Sequence, residues 1–190
     1  MSDTAAAHRA RQTVINLILS LLASLGVMLL VLFVVPRDDS NRIKPVDYVA
    51  VGKTIANNEG RPILLPELPN GWWSNSARWT GAAADGVDSW YVGFVGPAGQ
   101  YIGLTQGFDS NPTWLAMQTQ TSLASKDLLV AGQKWRVYEN PVKNDPPKTR
   151  DYLLLTEVGQ DQILLYGTAS EAEFKLLAKA VQDQIDGVYP

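Results

Sequence analysis

The longest apolar stretch of the chain lies near its start. Thr13 to Val35 (TVINLILSLLASLGVMLLVLFVV) runs for 23 residues without a charge, and Asn16 is its most polar member. At 1.5 Å per residue a helix of that length spans roughly 34 Å, enough to cross a ~30 Å hydrocarbon core with some tilt. A lone segment in lipid has to satisfy its backbone internally, so the pattern predicts one transmembrane helix. Pro36 and Arg37-Asp38-Asp39 are expected to end it. A cleaved signal peptide is the rival reading. Arg9 and Arg11 form a basic n-region, and Ser24-Leu25-Gly26 is a small-x-small triplet. Cleavage there would leave the apolar run Val27 to Val35 as a new N-terminus. The expectation is therefore an uncleaved signal anchor behind a short tail, residues 1–12.

Residues 36–45 read as a stalk, and 46–190 as one soluble domain. Val46 to Ala56 alternates only in part and suits a strand or a helix. Pro62 to Leu65 suits a short strand. Trp72 to Trp79 (WWSNSARW) suits a strand with Trp73, Asn75, Ala77 and Trp79 on one face and Trp72, Ser74, Ser76 and Arg78 on the other. Ser89 to Gly96 and Tyr101 to Gln106 flank the turn Pro97-Ala98-Gly99-Gln100 and predict a hairpin. Asn111-Pro112 is a helix start, N-cap followed by Pro at N1. That helix is expected to run to Ser122, with Trp114, Leu115 and Met117 inward. Gln133 to Glu139 predicts a strand, and Asn140 to Thr149 a loop. Arg150 to Glu157 and Gln162 to Gly167 predict a second hairpin. Ser170 and Glu173 have capping-box spacing. They open a last helix with Phe174, Leu177, Ala178 and Val181 as its apolar stripe and Gly187 at its end. Successive hairpins imply an α+β fold: an antiparallel sheet with about two packing helices on one face, preceded by the transmembrane helix.

Charge changes this picture little. The formal net charge is −3, and setting aside Arg9, Arg11 and Asp3 leaves 14 basic and 18 acidic residues. A mildly acidic domain has no broad pull on phosphate backbones, so nucleic acid is not an expected partner. Cysteine is absent, and the one histidine, His8, precedes the membrane segment. The domain thus lacks thiol nucleophiles, zinc–thiolate sites and a histidine base. Basic residues before the segment (Arg9, Arg11) nearly balance those after it (Arg37, Arg42, Lys44). The short basic tail favours a cytoplasmic N-terminus and an extracytoplasmic domain.

The run Gly71 to Trp79 (GWWSNSARW) resembles the signature of an actinobacterial family of membrane proteins catalogued as domain of unknown function 4245. DSWYVGFVGPAGQY at 88–101 and GTASEAEFKLLAKAV at 167–181 fit the same resemblance, in family order and behind a membrane segment. The resemblance implies a cell-envelope protein with its domain outside. It carries over no catalytic residue.

The candidate chemistry is aromatic. All six tryptophans, Trp72, Trp73, Trp79, Trp90, Trp114 and Trp135, fall in the domain. Such rings stack on sugars and apolar ligands, and they also pack well on sheets. Trp72, Trp73, Asn75, Arg78 and Trp90 are the expected ligand or partner surface, with Arg78 suited to a bidentate anion contact or to stacking. Asp85, Asp88 and Asp109 are loop carboxylates that either form turns or, as a pair, support glycoside hydrolysis. No metal motif, Walker A, Gly-x-Gly-x-x-Gly or Gly-x-Ser-x-Gly pattern occurs, so no cofactor is expected. Ser20 and Ser24 have the small-xxx-small spacing that lets membrane helices approach. The leading expectation is a non-enzymatic domain that binds an envelope component or protein partner, with the lipid bilayer as its anchor. The alternatives are an accessory subunit of a membrane complex, using Ser20 and Ser24, and a carboxylate-based hydrolase.

Overall fold

The computed structural model describes residues 3–34, 43–81 and 84–189. The expected stop at Pro36 and the stalk up to Arg42 lie outside the described residues. The chain divides into two compact units, Met1–Arg42 and Ile43–Pro190. The first holds helix α1 (Asp3–Val34), within which Arg11–Val34 is long and apolar enough to cross a membrane. Such a helix fits a membrane anchor or a signal sequence.

The second unit is α+β. Its strands are β1 (Trp73–Thr80), β2 (Ser89–Val95), β3 (Tyr101–Gly107), β4 (Leu123–Val130), β5 (Gln133–Glu139), β6 (Tyr152–Val158) and β7 (Asp161–Gly167). Its helices are α2 (Tyr48–Glu59), α3 (Pro112–Thr119) and α4 (Glu171–Val188). The strands form one sheet in the order β1-β2-β3-β7-β6-β5-β4, and each neighbouring pair is antiparallel. Both predicted hairpins are present, as β2–β3 and β6–β7.

One face of the sheet carries the main core. Trp90, Val92, Phe94, Ile102, Leu104, Trp135 and Val137 line it, and α2 and α4 pack over it. Alternation along each strand places these residues on one side, because the side-chain period of a strand is two. Helix α4 docks through the predicted stripe of Phe174, Leu177, Ala178 and Val181, extended by Ile185. Burying each of its larger side chains stabilises the fold by roughly 1.5–3 kcal/mol. Ser170 and Glu173 form the capping box. Gly187 does not end the helix, which continues to Val188.

One open segment is resolved and four further expectations are corrected. The segment open between strand and helix is α2, started by Asp47, whose carboxylate accepts from Ala50 N. Pro62 to Leu65 forms no strand. Its buried backbone is satisfied by side chains instead: Leu64 N donates to Gln106 Oε1 (3.0 Å) and Trp90 Nε1 donates to Leu64 O (3.0 Å). Helices cover both faces rather than one, because Trp114 of α3 joins a second cluster with Val87, Leu153, Leu155, Leu164 and Tyr166 on the opposite side. Helix α3 stops at Thr119, and Met117 points outward at 49% exposure.

Candidate functional site

The decisive local feature is a β-bulge in β1. Pairing with β2 runs Trp73↔Val95 and Ser74↔Phe94, then resumes at Ser76↔Gly93. Asn75 is the extra residue. A bulge sets two residues of one strand against one of its partner and reverses the facing of everything on one side of it. The expected division of faces is therefore wrong. Ser74 shares the core face with Ala77 and Trp79, and Trp73 shares the second face with Ser76 and Arg78.

The bulge splits the predicted tryptophan surface. Trp90 is wholly buried in the core and does not reach the surface. Trp72 is half-buried against the same core. Trp73 is half-buried on the second face, and Arg78, on the same face beyond Ser76, is exposed. Asn75 leans over the same face, since a Cβ built on Gly93 would sit 2.3 Å from its Oδ1. Three of the five expected surface residues thus come together, and two belong to the core side.

Residues outside the expected set complete this face. Arg78 lies over the Tyr91 ring at 3.9 Å, and the Tyr91 and Tyr101 hydroxyls touch each other. Tyr166 meets Thr105 Oγ1 through its hydroxyl (3.3 Å), and Arg150 lies over the Tyr166 ring at 3.4 Å. Room for the three rings comes from Gly93 and Gly103, which are paired directly across β2 and β3. A Cβ on Gly103 would lie 2.9 Å from both the Tyr101 hydroxyl and the Tyr166 ring. The result is a continuous series: Arg78, Tyr91, Tyr101, Tyr166, Arg150.

The electrostatics follow from burial. Burial pushes the Tyr101 and Tyr166 hydroxyls above the ordinary phenol value. Contact with the Tyr91 hydroxyl raises Tyr101 further, whereas Arg150 opposes the rise at Tyr166. These phenols are neutral donors at physiological pH. Burial also pulls the Arg150 guanidinium below the ordinary arginine value. Arg150 donates to Gln118 O (2.9 Å) and Gln118 Oε1 (3.2 Å). Among the described residues neither Arg78 nor Arg150 is ion-paired with a carboxylate.

The loop carboxylates are occupied elsewhere. Asp85 Oδ1 accepts from Val87 N, closing its own turn, and Asp109 pairs with Arg61 at 2.7 Å. Asp161 accepts from Asp109 N (2.9 Å) and from the Tyr189 hydroxyl (2.8 Å). No group of three potential metal ligands occurs among the described residues. In α1 the Ser24 hydroxyl donates to Ser20 O (3.0 Å), so it is used within the helix.

Sequence reasoning missed Tyr91, Tyr101, Tyr166 and Arg150. One signal was legible: Tyr91-Val92-Gly93 and Tyr101-Ile102-Gly103 repeat a Tyr-x-Gly pattern on the two arms of one hairpin. Residues two apart share a face, so each arm sets a ring beside a gap. Arg150 sits at a loop end, and its approach to Tyr166 has no local signature.

Fold and face together define a class: an antiparallel α+β domain in a chain that also carries a transmembrane-capable helix. Within that class the chain belongs to the family described as protein of unknown function DUF4245, whose family model matches residues 9–181. The match takes in most of α1 and runs through all seven strands into α4. No curated protein and no solved structure gives a significant match.

Proposed function

We propose that this chain is a single-pass protein of an actinobacterial cell envelope, with its N-terminus in the cytoplasm and its α+β domain outside. The domain binds an envelope component or protein partner without catalysing a reaction. The observation that carries the binding reading is the convergence of Trp73, Asn75, Arg78, Tyr91 and Tyr101 on a part of the second face that reaches solvent. Aromatic rings and a guanidinium on a rigid sheet make up the kind of surface where binding energy concentrates. The site has no thiol, and the domain has no histidine, to drive nucleophilic chemistry. The placement outside the membrane rests on the basic tail and on the family resemblance.

Two measurements test this. The chain has no native cysteine, so Lys143→Cys, in an exposed loop, gives a unique label site. A membrane-impermeant maleimide should modify it in intact cells, and labelling only after lysis would place the domain inside. A photo-reactive amino acid at position 78 should capture an envelope component that the same group at position 175, on α4, does not. Equal capture from both positions, or none from position 78, would remove the second face as the binding surface.

A further inference from the structure

We infer that the second face recognises an anionic glycan, its sugar rings lying against Trp73 and Tyr101 and its carboxylate or phosphate oxygens meeting Arg78 and Arg150. This rests on the binding role proposed above and names the ligand class.

A guanidinium has five N–H donors, and its planar fork matches carboxylate and phosphate oxygens. Arg78 is exposed and is held in place by the Tyr91 ring alone, with no hydrogen bond or ion pair among the described residues. Its guanidinium donors are therefore not engaged by protein acceptors among the described residues. Arg150 is half-buried and spends two N–H groups on Gln118. Its partial desolvation is compensated by the Tyr166 ring and by amide oxygens, not by a negative charge. Two positive charges at the two ends of one series, neither neutralised by a carboxylate, attract an anion to this face.

The ligand's body is set by what lies between and beside these charges. Trp73, Val95 and Tyr101 stand in one row across β1, β2 and β3, adjoining the row of Ser76, Gly93, Gly103 and Tyr166. Flat aromatic rings suit a pyranose ring, which stacks through its C–H face. Asn75 adds a polar edge within the same surface, and its Oδ1 already accepts from Ser76 Oγ (3.1 Å). A bilayer fits less well. Membrane-surface recognition relies on clusters of basic residues, and this domain is net acidic with its two site arginines set apart by three tyrosines.

The experiment uses the full chain in phosphatidylcholine nanodiscs. The probes are tetragalacturonate, its fully methyl-esterified form and glucose 6-phosphate, followed by calorimetry and tryptophan fluorescence. Tetragalacturonate should bind at least tenfold more tightly than its ester, and glucose 6-phosphate should compete. Arg78→Gln should weaken acid binding at least tenfold, and Arg78→Lys should restore part of it. Arg136→Gln should have no effect, because Arg136 lies at the far end of the sheet near Asp127. Arg150→Lys serves for the second arginine, because it keeps the charge over Tyr166. Acid binding should weaken as salt rises.

Equal affinity for acid and ester, an unchanged Arg78→Gln variant, or no acid binding below about 1 mM, the weak end of specific recognition, overturns the inference. Acid binding that disappears in phosphatidylcholine while the domain docks onto phosphatidylglycerol discs overturns it in favour of a lipid surface. If photo-capture from position 78 still succeeds when these titrations fail, the anion assignment alone is lost and the binding role stands.

Discussion

Removing one hydroxyl, in Tyr189→Phe, tests how the C-terminal end of α4 is fastened. Tyr189 follows the helix and donates to Asp161 Oδ2 (2.8 Å), and it accepts from Gln106 Nε2 (2.6 Å). Asp161 is only 8% exposed, so its carboxylate depends on protein donors. Without the phenol its carboxylate keeps, among the described residues, the bond from Asp109 N on Oδ1. Gln106 keeps Pro62 O (2.7 Å) and Leu64 N (3.0 Å). A hydrogen bond to a charged group contributes about 1.5–3 kcal/mol and a neutral one about 1. The expected loss is therefore roughly 2–4 kcal/mol. For a domain of this size each kcal/mol lowers the melting temperature by about 2–4 °C, so the midpoint should fall by roughly 4–16 °C. Near-UV circular dichroism of the full chain in mild detergent, with heat and with urea, measures both quantities. Tyr138→Phe is the control, because that hydroxyl makes no hydrogen bond among the described residues. A loss below about 0.5 kcal/mol, the size of an ordinary surface change, would show that water replaces the phenol and that Asp161 is not fastened as described.

Two more perturbations follow from the packing and the charges. Gly167→Ala should prevent native folding, since its Cβ would lie 1.9 Å from the Tyr101 carbonyl oxygen, a backbone atom that cannot turn aside; a soluble variant with the parent near-UV spectrum would contradict this. Asp151 should stabilise the loop after β5 in a pH-dependent way. Its carboxylate accepts from Lys148 N and from the Asn144 and Asn140 amides, and these bonds, Lys148 first, hold its carboxyl below the usual range. A depressed folded-state value means the stabilisation is whole above the unfolded value of about 3.9 and is lost as pH falls through the folded one. Asp151→Asn should therefore be less stable than the parent at pH 7, with the gap constant down to roughly pH 4 and closing below it. A gap independent of pH over that range would rule the carboxylate out as the cause.

Legibility in the sequence followed the source of each signal. Hairpins β2–β3 and β6–β7 were readable because turn residues and buried alternation lie within one short window. Strand β4 (Leu123–Val130) was not, because it is an edge strand exposed along most of its length. With Leu129 73% exposed and only Val130 buried, it carries no pattern of a core face. The bulge at Asn75 left no mark either, since an extra residue becomes visible only against the partner strand. That single residue decided the site. It put Trp73 on the same face as Arg78 and left Trp72 with the core, where strict alternation had paired them the other way. Trp90 looked like a surface ring from its neighbours in sequence, but Leu64 O and the core claim it. Trp73, Asn75 and Arg78 were among the expected residues, whereas Arg150 reaches Tyr166 from the loop before β6, across the β6–β7 hairpin in which Leu153 pairs with Tyr166.

The strand order carries a consequence for how the protein comes into being. β1–β3 and β4–β7 are each a meander of neighbours in sequence, and the two meet only at the seam between β3 and β7. Each meander needs only short loop closures, whereas the seam joins residues such as Gly103 and Tyr166 that are distant along the chain. Local hairpins form ahead of such distant pairings because closing a long loop costs more entropy. Tyr91 and Tyr101 belong to the first meander, Tyr166 to the second, and Arg150 to the loop just before β6. Neither meander alone therefore holds the whole series from Arg78 to Arg150. The Arg150 end joins it only when the seam closes, so a chain stalled with its seam open would carry the Arg78 end without its counterpart.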